Sequence, residues 1–497
     1  MKLSEKKVQL LYTVLSNLFL QMVTAVCGFI LPPLIVQNFG SSVNGLVSSI
    51  NQFIMYLNLV ETGIGGASVA ALYKPLAEDD KTCVNKILSA TRKFYNSSGL
   101  YFTVLIFLLS LIYPYIVSAQ VTRYEASLLV LILGITGTGE FFFIGKYRVL
   151  LTADRRSYVL SAVQIIAVIS NTFLAVILLR MGCNILVVKF SSSLVFLGRY
   201  IPIMLYAKKR YSFLNFKEDP DTDAISQSKN VMVHQIGSLV VRNSPLVFIT
   251  IFCTLKDASV YSIYAMIFLA IKHIVTSFST GIEAFLGAAL SGESLQSTRK
   301  NFDRYESFFF MLVFIIYTLA AVLCIPFMKI YTRNMTDANY IQPDLVVLFV
   351  AVGMFDHLRT PGDKLISAAG HFKQTQWRSL LEVGINLSAS IICTLFFGFK
   401  GGVLLGSCCS YLYWTFDIIF YSSRRIIRSS AVKTLFKIFI YLPVAFIILF
   451  VSKRVSYVPQ NYLLWFLYAL VSGFAYSTVY LLVLLLQIKS SGGGRAG

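Results

Sequence analysis

The stretch at residues 307–328, SFFFMLVFIIYTLAAVLCIPFM, decides the fold class of this chain. It contains no charged residue, and about 20 consecutive apolar residues suffice to cross the hydrocarbon core of a bilayer as a helix. Similar runs recur along all 497 residues, of which 56% are hydrophobic and only 13% charged. A soluble domain carries about 25% charged residues. The sequence therefore predicts an all-α polytopic membrane protein and not an enzyme.

The apolar runs predict about fourteen transmembrane helices, which we call spans 1 to 14. In chain order they cover 8–36, 43–72, 93–118, 125–150, 158–180, 184–207, 229–254, 258–290, 306–330, 342–369, 375–397, 401–422, 434–452 and 461–488. An even number of spans places both termini on the same side of the membrane.

Basic residues alternate between the two sides of this topology. The loops and termini on the N-terminal side carry 31 Lys and Arg residues, whereas those on the opposite side carry 8. Because cytoplasmic loops are enriched in Lys and Arg, we expect both termini to be cytoplasmic, in a bacterial inner membrane. This pattern explains the net charge of +20 without a nucleic-acid partner. No Cys/His cluster predicts a metal or cofactor.

The chain contains a weak internal repeat. Residues 149–194 align with 365–410, and Thr62-Gly63-Ile64 matches Thr280-Gly281-Ile282. Two six-helix repeats share one orientation and are related by an axis along the membrane normal. We therefore predict two lobes around a central cavity. The predicted domains are an N-lobe at 1–207 (spans 1–6), a cytoplasmic linker at 208–228, a C-lobe at 229–428 (spans 7–12), two extra helices at 429–489 and a flexible tail at 490–497.

Polar residues at helical spacing mark spans 1, 2, 7 and 8 as the lining of that cavity, because residues three, four or seven apart share one helix face. The alternative is that they form hydrogen bonds between packed membrane helices. The predicted lumen-lining residues are Asn17, Gln21, Asn51, Asn58, Glu61, Ser238, Thr276 and Glu283.

Two cations lie near the middle of their spans, Arg242 in span 7 and Lys272 in span 8. A cation at the centre of a membrane helix costs about 2.5–3.5 kcal/mol on insertion scales, so some interaction must offset this cost. We predict that both bind an anionic phosphate group of the substrate, with His234 and His273 as further donors. An ion pair with a carboxylate on another helix, for example Glu61, is the alternative.

The repeat also aligns charged residues of spans 4 and 10. Glu140 aligns with Asp356, and Arg148 with Lys364. Carboxylates inside a membrane mark ion pathways, so Glu61, Glu140 and Asp356 are candidate ion-coupling residues. A purely structural ion-pair network is the alternative. Glycines at 398, 402 and 406 recur every fourth residue and predict close helix packing at the start of span 12.

Short glycine-centred motifs follow one another along the chain. They are Asn38-Phe39-Gly40, Asn44-Gly45-Leu46, Glu61-Thr62-Gly63-Ile64-Gly65 and Ala368-Ala369-Gly370. With the two six-helix lobes, they make the chain similar to the polysaccharide flippases (Wzx-like, O-antigen and capsule exporters) of the multidrug/oligosaccharidyl-lipid/polysaccharide exporter superfamily.

This resemblance implies transport of an undecaprenyl-pyrophosphate-linked oligosaccharide from the cytoplasmic to the outer leaflet by alternating access, coupled to an ion gradient. It also implies a cationic lumen lined by spans 1, 2, 7 and 8, which agrees with Arg242 and Lys272, although spans 1 and 2 contain no basic residue at that depth. Expected partners are the lipid-linked substrate, anionic phospholipids, and polysaccharide polymerase and chain-length machinery. The alternatives are an exporter of drugs or of other lipid-linked precursors with the same fold, and a membrane-embedded polymerase or glycosyltransferase.

Overall fold

A computed structural model describes residues 2–61, 64–117, 121–222, 229–279, 281–292, 294–399, 401–455 and 457–492 of the chain. Within them the structure is helical, as the sequence predicts, because backbone polar groups in lipid must be satisfied within their own segment. The α-helices are α1 Lys2–Phe39, α2 Ser41–Leu57, α3 Ile64–Glu78, α4 Lys81–Val117, α5 Arg123–Gly139, α6 Gly145–Ala153, α7 Ser157–Arg180, α8 Ile185–Gly198, α9 Tyr200–Arg210, α10 Lys229–Phe252, α11 Leu255–Ser277, α12 Ile282–Gly292, α13 Leu295–Tyr331, α14 Pro343–Leu358, α15 Thr360–Ala368, α16 Phe372–Phe397, α17 Gly402–Tyr421, α18 Ala431–Val455 and α19 Tyr462–Gly492.

In the described part of the chain, twelve helical segments are long and apolar enough to cross a membrane. They correspond to the predicted spans except 2 and 7. Span 7 contains the shorter apolar helix Ile236–Phe252 within α10. Span 2 is divided into α2 and α3. The chain is a multi-pass membrane protein. The tail is helical as far as Gly492, and residues 493–497 lie outside the described part.

Two predicted spans are each divided into two α-helices near the repeated Thr-Gly-Ile motif, of which Thr62, Gly63 and Thr280 lie outside the described residues. In span 2, α2 passes into a 3₁₀ turn at Asn58–Glu61, and α3 begins at Ile64. In span 8, α11 ends at Ser277 and α12 begins at Ile282. Between them Gly281 has φ +84°, a left-handed conformation that favours glycine. The sequence predicted these spans as continuous helices, because the motif is apolar enough to resemble a helix interior.

Residue contacts divide the chain into two compact units, at residues 1–259 and 260–497. Unit 1 contains α1 to α10 and the beginning of α11. Its core joins buried residues of α2, α4, α5 and α6, among them Ile50, Phe102 and Leu150. The sequence assigns α10 to the C-lobe instead, and the predicted lobe boundaries remain a prediction.

Unit 2 confirms the predicted close packing at the start of span 12 for Gly402 and Gly406, whereas Gly398 lies at the end of α16 and an added Cβ there would meet nothing within 4 Å. A Cβ on Gly402 would lie 2.4 Å from the Thr394 Cα, and one on Gly406 would lie 2.3 Å from the Ser390 backbone. Glycine at these positions lets α17 approach α16 closely along its length.

The last two helices are tied to α13. The Trp465 indole of α19 donates to the Leu323 carbonyl at 3.1 Å. In α18 the Lys437 ammonium lies 2.9 Å from the buried Glu306 carboxylate of α13. These polar contacts hold the extra helices where apolar packing alone distinguishes them poorly from lipid.

Candidate functional site

The interrupted spans bring charged side chains together inside each unit. In span 4 the α-helix passes through a π-helical segment, Glu140–Ile144, before α6 begins. In span 10, α14 ends at Leu358 and α15 begins two residues later. Of the aligned carboxylates, Glu140 therefore lies in a π-helical segment and Asp356 in the last turn of α14. π-Segments are frequent at functional sites.

In unit 1 these side chains form a four-charge network. Arg148 of α6 pairs with Glu61 and lies 3.0 Å from the Glu140 carboxylate. Arg199, between α8 and α9, reaches the other Glu140 oxygen at 3.3 Å. The Tyr95 hydroxyl donates to Glu61 at 2.6 Å. Two cations thus balance two carboxylates, and the Arg148–Glu61 pair links the segment just before the break in span 2 to α6.

In unit 2 the equivalent network is larger. Lys272 of α11 pairs with Asp356, which also accepts from Arg359 at 2.7 Å. Arg359 further lies 3.7 Å from Asp363 and 3.6 Å from Glu382 of α16. Asp356 is 11% exposed and Glu382 only 6% exposed. Three carboxylates face two cations here, so one negative charge is in excess when all are ionised.

One ion pair recurs in both units. Lys364 of α15 lies 3.1 Å from Glu283 of α12, just after the break in span 8. Arg148 of α6 pairs with Glu61, just before the break in span 2. Arg148 of α6 aligns with Lys364 of α15. In both repeats, therefore, the cation at this aligned position pairs with a carboxylate beside the break of span 2 or of span 8. Their carboxylates come from opposite sides of the Thr-Gly-Ile motif.

Arg242 has a different environment from Lys272. Its side chain is exposed on α10, and it forms no ion pair with any side chain that the structure describes. Two contacts set α10 against α2: Thr250 donates to Ser49 at 2.7 Å, and the Tyr56 hydroxyl donates to the Val240 carbonyl at 3.0 Å.

These contacts make α2 and α10 antiparallel and define their register. The register places Asn58 at the level of Ser238, and Arg242 at a level between Asn51 and Asn58. All four side chains are exposed. Ser238 and Arg242 lie four residues apart and so share one face of α10, which we call the polar strip, and Arg242 is its cation.

The other predicted site residues are scattered. Asn17 accepts a hydrogen bond from Ser161 at 2.5 Å, the interhelical alternative. Thr276 donates to the Lys272 carbonyl of its own helix at 2.9 Å. Gln21 and His273 are exposed. The side chain of His234 lies outside the described residues.

Lys272 is engaged as the alternative stated for it, an ion pair with a carboxylate of another helix. Sequence reasoning missed Glu382 and Arg199 as members of the two networks. Both are charged residues within apolar spans, a signal of functional or paired groups that could have found them.

No family model and no curated protein matches this sequence. Solved structures share its fold at low identity. The structure of lipid II flippase MurJ in the inward closed conformation has a TM-score of 0.62 and 14% identity, covering 96% of this chain and 99% of that one. An inward-facing multidrug resistance MATE family transporter of the MOP superfamily has a TM-score of 0.60 and 14% identity, covering 83% and 98%. The Vibrio cholerae MATE transporter VcmN in its bent form has a TM-score of 0.52 and 13% identity, covering 85% and 95%.

Proposed function

We propose that this protein is a flippase that moves an undecaprenyl-pyrophosphate-linked oligosaccharide from the cytoplasmic to the outer leaflet by alternating access. The fold supports transport, since the solved proteins that share it are transporters and a lipid II flippase. The lipid II flippase structure covers 96% of this chain and the MATE transporter structure covers 83%. The difference is similar to the combined length of α18 and α19. Resemblance to the lipid flippase thus extends over more of the chain.

The proposal rests on the environment of Arg242. An arginine in the middle of an apolar helix is costly unless an anion or a paired carboxylate compensates it. Within the described residues it has no carboxylate partner, and the register places it at a level between the exposed amides Asn51 and Asn58 of α2. A guanidinium can bind a phosphate through two parallel hydrogen bonds, and amides donate to phosphate or sugar oxygens.

Lys272 has another role in this proposal. Its ion pair with Asp356 makes it part of a coupling network with Arg359, Asp363 and Glu382. The excess carboxylate of this network can take up one proton or cation without leaving an unpaired buried charge. We propose that Glu382 and Asp356 couple transport to the ion gradient in this way, and that Glu140 and Glu61 hold unit 1 rigid.

A drug exporter of the same fold is the second candidate, because the neighbours include multidrug transporters. A site for cationic drugs needs an accessible carboxylate. The predicted carboxylates Glu61, Glu140, Glu283 and Asp356 all form ion pairs. The exposed charge on the polar strip is instead a cation, which favours an anionic substrate.

The remaining parts of the proposal follow from the substrate. We propose a location in the bacterial inner membrane with both termini cytoplasmic, because the precursor is assembled on that side. Anionic phospholipids would surround the basic loops. A polysaccharide polymerase and chain-length machinery would act on the translocated product.

The test is translocation of a fluorescent undecaprenyl-pyrophosphate oligosaccharide by the purified protein in proteoliposomes. We expect the Arg242→Ala variant to lose at least tenfold in rate. The control Arg180→Ala removes an exposed arginine at the end of α7 and should keep the rate. Efflux of a cationic dye without lipid translocation would establish the drug exporter instead. Equal rates for wild type and Arg242→Ala would remove the proposed role of this arginine.

A further inference from the structure

The segment predicted as a linker is folded against unit 1 up to residue 222. Asn85 of α4 donates to the Phe213 carbonyl at 3.0 Å and accepts from the Asn215 amide at 3.1 Å. The Tyr211 hydroxyl donates to Asp154 at 2.5 Å. Burial and this hydrogen bond raise the pKa of the Tyr211 phenol, so it remains a donor. These contacts fix the position of the aromatic residues that follow.

Two cations lie close to the ring of Phe216 in this segment. The Arg92 guanidinium lies 5.9 Å and the Lys146 ammonium 5.5 Å from its centroid. Lys146 also lies 5.3 Å from the ring centroid of Tyr147, which meets Phe216 edge-on at 5.9 Å. All three cation–ring distances fall within the range of cation–π attraction. Residues of α4, α6 and the linker thus meet at the rings of Phe216 and Tyr147.

The charged side chains that act on one another beside these rings are cations. The side chains whose charges act on Lys146 are Arg92 and Lys208. Among the described residues none of these three cations forms an ion pair, while the neighbouring Glu218 accepts from Asn215 at 3.3 Å. Like charges held together repel one another. Cation–π contacts with the aromatic rings offset part of this repulsion, and a bound anion would offset the rest.

We propose that Arg92 and Lys146, both within cation–π distance of Phe216, form together with Lys208 a binding site for a phosphate group at the end of unit 1 predicted to be cytoplasmic. Phosphate suits the site because Arg92 can bind it through two hydrogen bonds while lysines act as point charges. The site is separate from the polar strip that contains Arg242. The phosphate comes either from a phospholipid headgroup or from a soluble polyphosphate, including the pyrophosphate of a precursor awaiting transport.

The experiment measures phosphate binding by the full-length protein in two arms. One arm counts phosphatidic acid molecules retained from mixed micelles by native mass spectrometry. The other measures binding of radiolabelled inorganic pyrophosphate to protein in nanodiscs of zwitterionic lipid. The test variant is Lys146→Gln. The matched control is Lys433→Gln, which removes an exposed lysine near the start of α18 on the same predicted side.

We expect Lys146→Gln to weaken binding at least fivefold in one or both arms, with Lys433→Gln unchanged. A loss in the lipid arm identifies a phospholipid headgroup, and a loss in the soluble arm identifies a polyphosphate. If Lys146→Gln changes neither arm, or if Lys433→Gln lowers binding equally, the site does not exist as proposed. Should Lys146→Gln fail to fold, Phe216→Leu keeps an apolar side chain, removes the ring, and must also weaken binding at least twofold. Translocation by the flippase assay is a separate readout, so failure of one proposal leaves the other standing.

Discussion

Replacing Gly45 by alanine tests the contact that the N-terminal end of α2 makes with the start of α11. A Cβ on Gly45 would lie 1.8 Å from the Leu255 carbonyl oxygen and 3.1 Å from the Ser259 amide nitrogen. The same face is joined by Asn44, whose amide donates to the Ser259 hydroxyl at 2.8 Å. Because the obstructing atoms are backbone, no side-chain rotation can make room.

The expected cost can be worked out from this distance. Non-bonded atoms prefer about 3.5 Å, so the two backbones must separate by more than 1 Å, which breaks the Asn44 hydrogen bond as well. Overpacking of this kind costs about 1–3 kcal/mol. That free energy raises the population in which the contact is open by about 5- to 150-fold.

Hydrogen–deuterium exchange reports this opening directly. The Ala258 amide donates to the Thr254 carbonyl at 3.0 Å, and its exchange rate follows the open population. We expect exchange across residues 254–259 to quicken by that factor in Gly45→Ala. The control Gly66→Ala adds a Cβ in α3 with nothing within 4 Å and should leave this segment unchanged. A folded Gly45→Ala protein with wild-type exchange at 254–259 would refute the packing argument.

Three further predictions concern unit 2. Reversing the pair at the break in span 8 separately, as Glu283→Lys or Lys364→Glu, should lower the thermal midpoint of the purified protein, and the double variant should recover most of the loss because the pair is restored; no recovery would mean that the two charges do not interact. Gly406→Ala places a Cβ 2.3 Å from the α16 backbone and should destabilise unit 2 by about 1–3 kcal/mol in denaturant unfolding, whereas Gly384→Ala, with nothing within 4 Å, should not. Lys437→Met leaves a buried carboxylate of α13 without its partner and should cost about 3–5 kcal/mol, seen as faster proteolysis of the α18–α19 region; unchanged digestion would contradict this.

The repeat was the sequence feature that carried furthest into the structure. Glu140 and Asp356, aligned by sequence alone, lie in a π-helical segment and in the last turn of α14 respectively, and both accept from arginines. Arg148 and Lys364 likewise each pair with a carboxylate beside a break. An alignment can relate such positions because duplicated segments retain equivalent places in a fold. It cannot say that the partner carboxylates come from opposite sides of the Thr-Gly-Ile motif.

The two deep cations illustrate where sequence reasoning stopped. Arg242 and Lys272 have the same signature in the sequence, a cation in an apolar helix that must be compensated. The structure distinguishes them, since Lys272 meets Asp356 from a helix 84 residues away, whereas Arg242 is exposed and pairs with no carboxylate that the structure describes. Periodicity identifies the face of a helix that is polar. It does not identify the helix that this face meets.

The sequence by itself determined that this is a multi-pass helical membrane protein, because the length and apolarity of each segment are local properties that the bilayer reads directly. It also determined the approximate spans and the close packing of α17. Only the tertiary structure decided where spans 2 and 8 break, which carboxylate each buried cation meets, and how residues 211–222 fold against unit 1. Those outcomes depend on contacts between segments far apart in the chain. The local sequence pattern of a helix is the same whichever neighbour it meets, so the relative energies of the possible contacts decide between them.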